Sequence, residues 1–260
     1  MWAGALLRIC MIALLSACSH ALPLPQEADK PLAAKASAES ADKKSVATAP
    51  PPQRKRMGKR AFITLMKPLV QLENERVMRE RRLLIQWRDQ HRLTASQQRA
   101  LQAIAKRYRV GLQVGLSHRF WHTMLRRVDM IPLDLVLAQA ANESSWGNSR
   151  FAREANNYFG QWCFQQGCGV VPLRRDAGAH HEVKRFASAQ LSVRAYIRNL
   201  NTSDSYLLLR KMRLSMRRSH KPLDADFLAM GLKDYSQRGM RYVSIIRGIV
   251  RSNRELVRSL

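Results

Sequence analysis

Residues 132–147, PLDLVLAQAANESSWG, constrain the fold more than any other stretch of the chain. Pro132 suits the first turn of a helix, where its missing N–H is not needed. Leu133, Val136, Leu137 and Ala140 then recur at helical spacing. Glu143 comes seven positions after Val136 and three after Ala140, so the same period carries its carboxyl onto the inward face. A polar, glycine-containing turn follows, and Trp146, Tyr158, Phe159 and Trp162 come soon after. A carboxyl presented from a core-facing stripe among aromatic rings is partly desolvated, which favours its protonated form. An acid that stays protonated near neutral pH can donate to a leaving group. The ordinary alternative is a solvated helix-end glutamate paired with Arg150 or Arg153.

The local order E-S-x-W-G-x-S-x-F-A, followed by N-N-Y-F-G-Q-W and GQWCFQQGCGVVP, resembles the catalytic segment of the peptidoglycan N-acetylglucosaminidases of glycoside hydrolase family 73. Among these it is most similar to the Bax-type bacterial members. The resemblance is strongest over residues 132–172 and extends more loosely from about Leu116 to the C-terminus. It implies a lysozyme-like fold and makes Glu143 the general acid. It also implies a second glutamate in a β lobe, for which Glu182 is the candidate, and a cleft-facing tyrosine, which by the match to Tyr235-Ser236 and beyond is Tyr242.

The start of the chain suggests where such a protein would work. Arg8 precedes a short apolar stretch, residues 9–15, and Leu15-Ser16-Ala17-Cys18 reads as a lipoprotein processing site. The stretch is too short to cross a bilayer. The expectation is therefore a signal peptide over residues 1–17, an acylated Cys18 and a Gram-negative envelope address, the outer membrane facing the periplasm; ordinary cleavage at the same place is the alternative. Residues 18–60 are rich in Ala, Pro, Ser and Lys and hold too little apolar surface to fold, so they read as a tether. Extended, it would reach on the order of 100 Å.

Of the remaining cysteines, Cys163 and Cys168 flank the turn signal Gln166-Gly167, and an oxidising compartment favours a disulfide between them. A metal site joining them to His180 and His181 is the weaker alternative, because the spacing is not a usual zinc pattern. No metal and no cofactor are expected.

The rest is predicted to be mainly helical (α+β): a lysozyme-like domain over residues 116–260 with a small β-hairpin lobe, preceded by N-terminal helices over 61–115. Residues 62–90 have a helical pattern with a charged face that includes Glu73, Glu80 and Arg81, and Leu69, Leu72, Leu83, Leu84 and Trp87 can line the buried side. Thr94 or Ser96 can cap the next helix and Ser188 a later one. Gly231 marks a helix stop, and the final helix starts near Gly239. Residues 172–186 have no helical period, and the alternation near Val183 and Phe186 suits a hairpin.

Tyr158, Phe159 and Trp162 have a sugar-stacking reading, Asn156, Asn157 and Gln161 a reading as partners for hydroxyl or acetamido groups, and Trp146 is a further substrate-binding candidate; core packing is the alternative, and for Phe159 the favoured one. The formal net charge of +26 points to anionic partners. No nucleic-acid motif is visible, and the cations are spread over several elements, so the expected partners are peptidoglycan and a membrane reached through the lipid anchor. Two function classes remain. One is a peptidoglycan hydrolase cutting at N-acetylglucosamine, with a lytic transglycosylase as its near variant. The other is a noncatalytic wall-binding or assembly protein.

Overall fold

The computed structural model describes residues 55–112, 116–173, 175 and 178–260. The expected signal peptide, Cys18 and the tether as far as residue 54 lie outside the described residues, as does the acid Asp176. The described chain is helix-dominated with one small sheet. Its order is α1 (Lys59–Arg88), α2 (Ala95–Arg107), α3 (His118–Arg127), α4 (Leu133–Ser144) and α5 (Arg150–Ala155). The strands β1 (Trp162–Cys163), β2 (Gly169–Val170) and β3 (Glu182–Lys184) follow, then α6 (Ala189–Thr202), α7 (Leu207–Arg218), α8 (Ala225–Leu228) and α9 (Met240–Ser259).

The caps foreseen from sequence form. The Thr94 hydroxyl accepts from the Gln97 N–H while the Gln97 side chain accepts from the Thr94 N–H, a reciprocal cap on α2. Ser188, also foreseen, caps α6 in the simpler way, and the structure adds Ser117 and Ser149 as caps of α3 and α5. Gly231 plays a different part from the stop foreseen for it. It lies in a 3-10 turn, and a Cβ there would meet Leu209 Cα at 2.5 Å, so its lack of a side chain lets this turn approach α7 closely.

The β lobe is also built differently from a hairpin within residues 172–186. β3 is the central strand, with β1 and β2 antiparallel on either side. Trp162 and Val170 both pair with Val183, one from each side, so β1 and β2 run in the same direction and the chain between them, closed by the Cys163–Cys168 disulfide, crosses from one edge of β3 to the other.

α1 is not an appendage. Phe62, Ile63, Met66, Val70, Val77 and Leu84 on it are buried in the same hydrophobic cluster as the later helices, so the segments read as 61–115 and 116–260 share one core. Its buried face is rotated from the sequence expectation. Leu72 and Leu83 are exposed, whereas Glu73 and Arg81 point inward. Each of these inward charges has a built partner, which is why the helix can bury them. Glu73 accepts from Arg194 Nη2 (2.9 Å) and Nε (3.0 Å) and from Gln190 Nε2 (2.9 Å), which ties α1 to α6.

Arg81 belongs to a larger knot around Asp129, at the junction of α3 and α4. Arg217 forms a two-pronged pair with the Asp129 carboxylate (2.9 and 3.1 Å), and Arg81 and Arg213 lie at 3.6 and 3.9 Å. Arg213 also donates to the Asn201 side chain (2.7 Å) and to the carbonyls of Asp129, Met130 and Arg126. Burial alone would raise the Asp129 pKa, but the three guanidiniums outweigh it and hold the carboxyl below its usual range. A depressed pKa contributes stability above the unfolded value that is lost as pH falls through the folded one. Asp129→Asn leaves buried cations uncompensated, and should cost about 3–5 kcal/mol in urea unfolding. The variant should also lack the part of the wild type's acid destabilisation that Asp129 supplies.

Candidate active site

α4 is buried on nearly every side: each residue from Leu135 to Ala141 is buried, Gln139 included. Glu143 follows Gln139 by one helical turn and is half-buried at the helix end. The two side chains belong to one directional relay. The Tyr196 hydroxyl on α6 donates to Gln139 Oε1; Gln139 Nε2 donates to the Tyr242 hydroxyl on α9 (2.9 Å); and the Tyr242 hydroxyl donates to Glu143 Oε1 (2.9 Å). Asn142 Nδ2 donates to the same oxygen (3.0 Å). The rings are held by stacking, Tyr235 on Tyr242 at 5.2 Å and Phe159 on Tyr196 at 3.9 Å, and the Tyr235 hydroxyl donates to the Phe159 carbonyl (3.1 Å).

Burial raises the Glu143 pKa above the ordinary glutamate value, and the donors Asn142 and Tyr242 and the charge of Arg238 offset only part of that. Arg150 pairs with Glu154, not with Glu143. Tyr242 is pushed well above the usual phenol range, first by burial and then by the Glu143 charge, so it acts as a fixed donor. A neutral carboxyl whose Oε1 accepts from two neutral donors is a carbonyl oxygen in a satisfied site, and the proton belongs on Oε2.

The turn after Glu143 is conformationally unusual. Ser145, Trp146 and Gly147 follow one another at φ 51°, 57° and 77°. For the two non-glycine residues this left-handed backbone costs roughly 1–2 kcal/mol apiece. Local bonds support it: the Trp146 N–H donates to the Ala141 carbonyl (2.8 Å), and the Gly147 N–H donates to the Ser144 hydroxyl (2.8 Å).

The other candidate residues separate into groups. Trp146 turns toward the bundle, with its ring edge-on to Phe62 at 5.5 Å, and Tyr158 is buried 6.3 Å from the same phenylalanine. Asn157 is buried and fully engaged. Its Nδ2 donates to the Gln161 and Lys184 carbonyls (both 2.8 Å), and its Oδ1 accepts from the Phe159 and Gln161 N–H groups, so it braces the lobe. The sequence expectation of Asn157 as a sugar ligand overlooked this knot.

Gln161 and Trp162 line a recess of about 410 Å³ together with Lys106, Arg107, Lys184 and Arg198. Trp162 stacks on His181 at 4.1 Å. Cys163 and Cys168 are disulfide-bonded, so the proposed metal set with His180 and His181 does not form. Glu182 is held by the disulfide loop: its Oε1 accepts from the Gly167 N–H (2.9 Å) and its Oε2 from the Gly169 N–H (2.7 Å). These amide bonds draw its pKa below the usual value.

Gln139, Asn142 and Tyr196 were not singled out from sequence as site residues. The signal for Gln139 was present, because it is the one polar side chain on the apolar stripe that leads to Glu143.

Residues 119–254 match the family model described as "Glucosaminidase: Mannosyl-glycoprotein endo-beta-N-acetylglucosaminidase", and the chain belongs to this glycosidase family. More narrowly it is a Bax-type member. It is 34% identical over 199 residues to "Protein bax" of Escherichia coli (strain K12), an alignment spanning 76% of this chain and 71% of that protein. No solved structure matches the chain.

A general acid works while protonated, so activity should fall as pH rises through the Glu143 pKa. Tyr242→Phe removes a hydrogen bond that stabilises the charged form, and the alkaline limb of kcat/KM should therefore move to higher pH. A limb that stays in place or moves down would show that the hydroxyl does not reach Glu143.

Proposed function

We propose that the protein is a peptidoglycan hydrolase that cleaves the glycan strand at N-acetylglucosamine, with Glu143 as general acid. The observation that carries this reading is the convergence of two neutral donors on Glu143 Oε1, which favours a proton on Oε2. In the reaction Oε2–H gives its proton to the glycosidic oxygen as the bond from C1 to that oxygen breaks. The electron pair leaves with the departing sugar, and a nucleophile closes on C1. Both oxygens of Glu182 are occupied by loop amides, so its part is to clamp the loop beside Trp162. The substrate's own acetamido oxygen then serves as the nucleophile, after which water opens the cyclic intermediate.

The basic recess beside Gln161 and Trp162 suits the carboxylates of peptide stems on the strand. With Lys106, Arg107, Lys184 and Arg198 around it, attraction to the wall should weaken as salt rises. The address is part of the same proposal: a signal peptide, a lipid on Cys18 and a tether that lets the domain reach the wall from the outer membrane.

Purified protein incubated with peptidoglycan should generate new reducing N-acetylglucosamine ends, identified by mass spectrometry. Glu143→Gln should lower their formation by about 10²–10⁴-fold while melting no lower than the wild type, and Glu182→Gln should give a smaller loss. Anhydro-muramic ends would identify a lytic transglycosylase instead, and wall binding without release would identify a noncatalytic wall protein.

A further inference from the structure

The family-matched region begins at residue 119, yet the strained turn after Glu143 is tied to chain far ahead of it. One side chain forms the node. Asn148 Nδ2 donates to the carbonyls of Ser145 (3.0 Å) and Trp146 (3.2 Å), two of the left-handed residues. The same nitrogen donates to the Met57 carbonyl (3.0 Å), and the Met57 N–H donates back to Asn148 Oδ1 (2.8 Å).

Contacts around the turn come from the same stretch. Lys59 Nζ lies 5.1 Å from the Trp146 ring centroid, and the Phe62 edge meets the ring from α1. A Cβ on Gly147 would stand 3.1 Å from Met57 Sδ and 3.3 Å from a Phe62 ring carbon, so both side chains rest on the turn backbone. Left-handed backbone at non-glycine residues persists only where surrounding structure over-determines it. Here much of that structure is supplied by residues 57–62.

We propose that residues 57–62 form a clasp that completes the active site: acting through Asn148, they hold the turn at 145–147 and so fix where the Glu143 carboxyl points. This rests on the reading of Glu143 as the general acid. Met57, Lys59, Phe62 and Asn148 are positioning residues, since none is required to touch substrate. A further consequence is that the segment read from sequence as the end of a tether is part of the catalytic unit, with any tether joining the domain directly at its active-site turn.

The test uses the full-length protein with Asn148→Ala and Asn148→Asp, the latter keeping an acceptor for the Met57 N–H while losing the Nδ2 donor. Turnover on peptidoglycan fragments is read beside amide hydrogen exchange resolved by mass spectrometry. For Asn148→Ala we expect kcat to fall about 10–100-fold, as small displacements of a catalytic group do, with KM within about twofold of the wild type. Exchange should accelerate at residues 145–148 and 57–62 alone, and Asn148→Asp, which turns a carboxylate oxygen toward the carbonyls of Met57, Ser145 and Trp146, should be at least as impaired as Asn148→Ala in both readouts.

Unchanged exchange at 145–148 would overturn the proposal, as would local acceleration with unchanged kcat. So would acceleration spread evenly over the domain, which marks general destabilisation. If the wild type itself shows no turnover, the hydrolase reading fails on its own. The exchange pattern then still decides whether 57–62 holds the turn.

Discussion

The structure depends on the burial of α4 on nearly all of its sides. Between Leu135 and Ala141 this helix exposes no residue, so the one polar side chain in that span, Gln139, must find its partners inside the protein. Gln139 does so by accepting from Tyr196 and donating to Tyr242, which draws α6 and α9 onto α4 in fixed register. One turn later, Glu143 stands where this enclosure begins to open. The packing that builds the core therefore also delivers an oriented, partly desolvated acid.

Two carboxyls in this bundle show how partners decide the outcome of burial. Asp129 and Glu143 are both desolvated, which disfavours their charged forms. Asp129 faces three guanidiniums and stays a carboxylate, cementing the junction of α1, α3, α4 and α7. Glu143 is met by the neutral donors Tyr242 and Asn142, with a single charge, that of Arg238, acting on it, and its pKa remains raised. The first arrangement contributes to holding the fold together; the second shifts the balance toward the protonated form. Glu182 is a third case, in which two backbone amides of the disulfide loop hold a carboxylate and draw its pKa down.

Much of this was legible in the sequence. The period from Leu133 to Ala140 put Glu143 on the correct face, serine and threonine caps marked the helix starts, and the cysteine pair anticipated the disulfide. The legible features share one property: they are local, decided by residues within a few turns or a short loop of one another. What sequence did not reveal depends on contacts distant along the chain. Glu73 and Arg81 read as solvent-facing because their partners, Arg194 and Asp129, lie on other elements. Asn157 read as a sugar ligand because its four backbone partners become neighbours only once the lobe closes. Gly231 carried a helix-stop signal, but the need for it comes from the approach of α7.

The central claim is that burial keeps Glu143 protonated beyond the usual glutamate range, against the opposing pull of the Tyr242 and Asn142 hydrogen bonds. It is tested most directly by titrating the Glu143 carboxyl in the free protein with ¹³C-labelled glutamate and NMR, assigning its resonance by comparison with Glu143→Gln. The account predicts a midpoint clearly above the unperturbed value of about 4.3. A midpoint at or below that value would contradict it, because Glu143 would then be a solvated carboxylate with no proton to give near neutral pH.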